Sequence, residues 1–240
     1  MKNQLFSHQN FCVTSWHAFI FLAALLTSCT SEKLFQSGFD QNTVGQPPTT
    51  AQTVGTIEID GLPGTVRIVN PPVAPSGKWV EIRRDDNPTT ITNMQCDLTK
   101  NAGDGAYKFS ASMFIPTGCG PVSLQFEPLG QSIGTLTYFL HIDFMGNNKM
   151  RVNDDPNAEF GDFPRDSIFI VQVTLQSVND IIESAHIVLA GAGASGDHQV
   201  ITSSPLRNFA NNFGTVRFWM GFPHVGAFDV TNIVVSYEPD

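Results

Sequence analysis

YKFSASMFI, residues 107–115, decides the fold. Tyr107, Phe109, Ala111 and Met113 fall on one side of an extended chain, and Lys108, Ser110 and Ser112 fall on the other. Such period-two alternation marks a strand with one buried and one solvated face. It stops at Pro116-Thr117-Gly118, a turn signal. The same pattern returns in TLTYFLHIDF, residues 135–144. There Leu136, Tyr138, Leu140, Ile142 and Phe144 face one way, and Thr137, Phe139, His141 and Asp143 the other.

Working outward, further strands are predicted at Thr65–Val69, Trp79–Arg83, Thr89–Cys96, Val122–Glu127, Lys149–Asn153, Ser167–Leu175, Ala185–Ala190, Thr215–Phe222 and Phe228–Tyr237. Turn formers separate them, as at Asn70-Pro71-Pro72 and Asp85-Asp86-Asn87-Pro88. Ser167–Leu175 is apolar on both faces, which predicts a central strand covered on both sides. Phe228–Tyr237 is expected to pair beside the first strand, and only Val178–Glu183 offers a helical turn. Low charge (15%) with 20 Gly, 15 Pro and 19 Phe suits a β-rich exported protein. Roughly ten to twelve strands point to an all-β domain of two packed antiparallel sheets, a jelly-roll sandwich.

Upstream lies AFIFLAALLTSC, residues 18–29. Its apolar core is too short to span a bilayer and follows a segment with Lys2 and no acidic residue, the layout of a secretory signal. Leu26-Thr27-Ser28-Cys29 resembles the bacterial lipobox. That resemblance implies cleavage before Cys29, acylation of its thiol (a palmitate-type anchor), and residence in the bacterial cell envelope. Thr30, rather than Asp, after the cysteine implies the outer membrane. The expected organisation is a signal peptide over 1–28, a lipidated cysteine and disordered tether over 29–55, and the sandwich over 56–240. The tether is inferred from its Ser, Thr, Gln and Gly content, from Pro47-Pro48 and from its lack of apolar period.

A net charge of −9 opposes nucleic-acid binding, which needs a basic field. Cys12 lies in the signal and Cys29 at the lipid site, which leaves Cys96 and Cys119. In an oxidising compartment these two are expected to form one disulfide, worth about 3 kcal/mol in the chain-entropy model.

The closing run Phe228-Asp229-Val230-Thr231-Asn232-Ile233-Val234-Val235, with the strand number and length, resembles the concanavalin A-like lectin/glucanase sandwiches and related carbohydrate-binding modules. The resemblance implies a glycan laid across one sheet or its rim and stacked on aromatic rings. Alternation puts Val216, Phe218, Met220 and Phe222 in the core and leaves Arg217 and Trp219 opposite them. With His141, Asp143 and Arg151 they form the candidate ligand site; the competing reading is a solvated face with a surface salt bridge. Asp154, Asp155, Glu159 and Asp162 could supply oxygen ligands to a structural Ca²⁺, although their spacing departs from the EF-hand loop and also suits backbone-capping turns.

Catalytic signatures are sparse. Laminarinase-like members of the resembled superfamily carry Glu-x-Asp-x-x-Glu, and Glu58-Ile59-Asp60 supplies only its first half. No Gly-x-Ser-x-Gly elbow occurs, and the histidines lack metal-ligand spacing. The function expected is therefore ligand binding without catalysis. A glycan is the first candidate partner, an envelope protein in a structural assembly the second, and polysaccharide hydrolysis or lysis the third reading.

Overall fold

The computed structural model describes residues 31–49, 54–73, 77–85, 91–129, 138–153, 155, 157, 159–201, 213–220 and 224–240. Alternation builds strands throughout: β1 (Glu32–Ser37), β2 (Thr56–Asp60), β3 (Val66–Val69), β4 (Trp79–Arg84), β5 (Thr92–Asp97), β6 (Gly105–Phe114) and β7 (Val122–Pro128). They continue as β8 (Leu140–Phe144), β9 (Met150–Val152), β10 (Ile168–Val178), β11 (Ile181–Ala190), β12 (Gly196–Ile201), β13 (Phe213–Met220) and β14 (Gly226–Pro239). No helix occurs among the described residues.

The strands form two antiparallel sheets packed as a jelly-roll sandwich. The larger runs β12-β11-β10-β6-β14-β4-β3, with β1 also paired to β14, and the smaller runs β2-β5-β13-β7-β8-β9. Strand β14 is long enough to serve two neighbours along one edge: Gly226–Val230 pair with β4, and residues 233–237 pair with β1. Its other edge pairs with β6. A bulge between Thr231 and Val234, with Asn232 at φ 51°, shifts the pleat by one residue. Phe228 and Val230 before it, and Ile233, Val235 and Tyr237 after it, therefore all reach the core. The core lies between the sheets and is rich in phenylalanine, with Phe109 edge-on to Phe126 at 5.2 Å.

Several expectations are corrected by this architecture. Residues 32–37, expected as tether, are a strand of the larger sheet. Leu34 and Phe35 are fully buried and Phe39 nearly so, because a run of three large apolar side chains gains more from burial than the backbone loses on ordering. The closing strand lies beside β1, which the sequence reading did not foresee, and not beside β3. Strand β12 was likewise unforeseen; β11 pairs with it through residues 184–189.

Val178–Glu183 makes no helical turn. Asn179 and Asp180 both take positive φ, 52° and 59°, in a tight hairpin between β10 and β11. The carboxylate of Asp104 accepts both their backbone N–H groups. Strand β10 is central, but only one of its faces is covered: Phe169, Val171, Val173 and Leu175 are buried, whereas Ile170 is 36% exposed.

Cys96 and Cys119 are not bridged; both are buried free thiols. The register explains this. Cys96 is level with Val216 and hence with Phe126, whereas Cys119 precedes Val122. Val122 lies four residues further along β7, about 13 Å at strand rise, beyond the roughly 7 Å limit on Cα separation in a disulfide. Cys119 instead packs against Gly226, and its carbonyl accepts from the Arg165 guanidinium at 3.0 Å. Burial raises both thiol pKa values, that of Cys119 to about 11, which keeps the sulfurs protonated and unreactive.

One carboxylate on the outer face of the larger sheet carries a pH dependence. Asp229 stands directly opposite Glu81 across the β14–β4 ladder. Burial, then the Glu81 charge, push its pKa up to about 7 against the opposing pull of Arg83 and Arg67. Because the native pKa lies above the unfolded one, the native state favours the protonated acid. That stability is complete below about pH 4 and is lost as pH rises through about 7. Asp229→Asn is expected to remove this slope and to raise stability above pH 7.5 by up to about 4 kcal/mol. Melting curves of both proteins from pH 4.5 to 8 check it; parallel slopes would show that Asp229 does not titrate in this window.

Candidate functional site

Every second residue of the smaller sheet points away from the core, and these side chains form rows across the strands. One row is Glu58, Gln95, Arg217, Gln125 and His141, each the Cα partner of the next. The adjacent row is Asp60, Asn93, Trp219, Ser123, Asp143 and Arg151. It crosses every strand of the sheet, about 24 Å at the usual interstrand spacing. Thr215 and Glu127 begin a third row beside Asp97.

The face thus brings together His141, Asp143, Arg151, Arg217 and Trp219, the residues singled out from sequence. It also gathers Asn93, Gln95, Ser123, Gln125, Glu127 and Tyr138, which were not singled out. For all but Tyr138 the signal was present in TNMQCD and VSLQFEP, where polar residues alternate with apolar ones that reach the core; Tyr138 and Phe139 reverse the expected alternation, Phe139 packing in the core and Tyr138 against His141.

This is not a solvated face. Asn93 (1% exposed), Gln95 (2%), Gln125 (2%), Glu127 (0%) and Arg217 (4%) are as buried as the core. Exposure rises at the rim, where the side chains of Asp143 and Arg151 are 13% and 26% exposed. Arg217 grips Glu127 with two bonds, Nε to Oε1 at 2.8 Å and Nη2 to Oε2 at 2.7 Å. Burial pushes the Glu127 carboxyl pKa up, and Arg217 opposes it. His141 Nε2 lies 3.0 Å from Asp143 Oδ1, and Ser123 donates its hydroxyl to the same carboxylate. Burial also disfavours the Asp143 anion, but His141, Ser123 and Arg151 together outweigh it and hold this carboxyl below the usual range. Asp97 accepts from Thr215 at 2.7 Å and from Gln95 at 2.9 Å. Arg151 Nη2 reaches Glu159 at 3.1 Å.

Among the described residues, no hydrogen-bond partner is found for Asn93 Oδ1, Gln125 Nε2, Trp219 Nε1 or Arg151 Nε. A buried polar atom left in that state costs roughly 1–3 kcal/mol. The rings of Trp219 and Tyr138 flank His141, with centroids 6.1 and 5.1 Å from the imidazole.

Of the expected Ca²⁺ ligands, the three among the described residues are each engaged separately. Asp162 pairs with Lys149 at 2.8 Å, Glu159 accepts from Asn147 and Arg151, and Asp155 caps the N–H of Asn157. Asp154 lies outside the described residues, and among those described no three His, Cys, Asp or Glu side chains cluster as metal ligands. Cys12 and Cys29 also lie outside the described residues. Glu58 and Asp60 are exposed on β2. Glu127 is buried and Asp143 part-buried on this face, but Asp143 is level with Ser123, four residues along β7 from Glu127. That is about 13 Å, beyond the roughly 5–9.5 Å of the paired carboxylates that hydrolyse glycosidic bonds.

No known protein family matches the chain, and no curated protein does. Among solved structures, a variant of alginate lyase Aly36B in complex with alginate trisaccharide aligns at TM-score 0.52 and 10% identity, covering 88% of this chain and 98% of that one. Lectin UEA-II in complex with galactose aligns at 0.49 and 12%, covering 82% and 97%. A family 11 carbohydrate-binding module from Clostridium thermocellum aligns at 0.42 and 10%, covering 86% and 98%. The likeness to the lyase, at this identity, is one of fold alone.

Proposed function

We propose that the polar face of the smaller sheet binds a polysaccharide without cleaving it. The observation that carries this reading is the more open end of that face, where the part-buried Trp219 ring shares a row with Asp143 and Arg151, whose side chains are 13% and 26% exposed. Sugar hydroxyls both donate and accept, so they can meet that carboxylate and guanidinium together. The part-buried Trp219 ring offers a stacking surface. Catalysis is the weaker reading because the carboxylates of this face are already engaged, Glu127 by Arg217, Asp97 by Thr215 and Gln95, and Asp143 by Ser123.

The test is affinity electrophoresis of the protein through gels containing a panel of polysaccharides. At least one polysaccharide should retard the parent protein. Trp219→Ala should weaken that binding about tenfold, as loss of one stacked ring predicts. Retardation unchanged in this variant would overturn the placement on this face.

The same reading includes an acyl anchor at Cys29, three residues before β1 begins. Its support is the lipobox-like Leu26-Thr27-Ser28-Cys29. In a bacterial host, incorporation of a labelled fatty acid that disappears in Cys29→Ser would establish it, and labelling that persists would dismiss it.

A further inference from the structure

We infer that a short leash holds the Glu32 end of the larger sheet against a bilayer, and that the row of Trp219, Asp143 and Arg151 is thereby turned away from it. The inference rests on the acyl-anchor reading above and adds how the domain is presented. It comes from where β1 starts, from what fixes that strand, and from the distance between its first residue and the row.

Only Thr30 and Ser31 separate Cys29 from Glu32, the first residue of β1. Three Cα steps span at most about 11 Å, so acyl chains on Cys29 keep Glu32 close to the headgroups. The leash does not lengthen by unzipping. Glu32 is level with Tyr237 on β14, and its carboxylate pairs with Lys100 at 2.9 Å. Behind it Leu34 and Phe35 are fully buried, and the Leu34 carbonyl accepts the Thr99 N–H at 3.1 Å. Peeling β1 away would put two large apolar side chains into water and bare an edge of β14.

The row lies toward the opposite end of the sandwich. Glu32 and Tyr107 are both level with Tyr237, and the Tyr107 ring meets that of Phe213, the first residue of β13, at 5.2 Å. Trp219 is six residues further along β13, about 20 Å at strand rise. Ser123 and Asp143 are level with Trp219, and Arg151 with Asp143.

Leaning does not bring the row down. Glu32 belongs to the larger sheet, and the polar face lies on the far side of the smaller one, beyond a sheet-to-sheet spacing of about 10 Å and its own side chains. Laying that face on the bilayer uses up the leash before contact is made, whereas the outer face of the larger sheet can settle without that strain. In either posture the row opens toward the surroundings.

The experiment places one fluorophore on the full acylated chain, in vesicles of phosphatidylethanolamine and phosphatidylglycerol in which part of the headgroups carry a nitroxide quencher. The single labelling site is Lys33→Cys at the leashed end or Asp60→Cys at the edge of the row. Cys96 and Cys119 are buried, with pKa values raised by that burial, and stay unlabelled. Quenching at Lys33→Cys should exceed that at Asp60→Cys at least about threefold, given the roughly 20 Å between their levels. A Gly-Ser spacer of about 20 residues inserted after Ser31 reaches roughly 25 Å and should erase the difference. Equal quenching without the spacer, or stronger quenching at Asp60→Cys, would overturn the orientation and leave the anchor standing. A difference that survives the spacer would overturn the leash as its cause. A parent protein without an acyl chain, or vesicle binding that persists in Cys29→Ser, would overturn the anchor reading and this inference with it.

Discussion

Glu127→Ala is expected to lower stability by about 3–5 kcal/mol, because it strands a buried guanidinium without its counter-charge. Arg217 is 4% exposed and directs two short bonds at this one carboxylate. The double variant Glu127→Leu/Arg217→Met should recover most of the loss. Two apolar side chains of similar volume need no pairing, and replacing a whole buried pair is commonly neutral or stabilising. Urea unfolding of the parent, both single variants and the double completes the cycle. Equal loss in the single and double variants would mean that the pair contributes by shape and not by charge. If the polysaccharide binds at this face, the double variant should also show whether the pair positions Gln125 and Gln95, its neighbours in the row, since affinity would fall while stability does not.

The second large effect concerns β1. A chain that begins at residue 56 is expected to fail to fold cooperatively, although it contains every strand that the alternating pattern made conspicuous. It lacks Leu34, Phe35 and Phe39, all buried in the core. At about 1.5–3 kcal/mol for each large apolar side chain, their loss is comparable with the roughly 5–15 kcal/mol that holds a domain together. It also strips the partner from residues 233–237 of β14, leaving an exposed edge along the longest strand. A chain beginning at Ser31 should melt as the parent does, and Phe35→Ala alone should cost about 3–5 kcal/mol. Circular dichroism melts of these chains decide it: a cooperative, parent-like transition from residue 56 onward would return β1 to the status of a dispensable tether.

How much was legible in the sequence follows from what each residue's signal depended on. Tyr107–Met113 and Leu140–Phe144 announce strands because alternation is local: one face must be apolar wherever a sheet covers a core. Strand β1 was missed because EKLFQS sets Leu34 and Phe35 side by side, breaking the period of two at a register shift between Lys33 and Phe35. The hairpin at Asn179-Asp180 was missed because its left-handed residues are less telling than Asn-Gly, and because the long-range bonds from Asp104 that fix it have no local trace. On the site, alternation alone put Arg217 and Trp219 opposite Val216 and Phe218. It did not reveal Glu127 as the partner of Arg217, since the two are 90 residues apart.

The sequence by itself determined the all-β class, most of the strands and which side chain of each strand points inward, because those are properties of a single extended segment. Only the tertiary structure decided which strands are neighbours and in what register. That choice aligned Asn93, Trp219, Ser123, Asp143 and Arg151 into one row, separated Cys96 from Cys119, and buried a polar face that would read as solvated in any one strand. Register is a global property: it is fixed by how two sheets close over a shared core, and no window of sequence contains both partners.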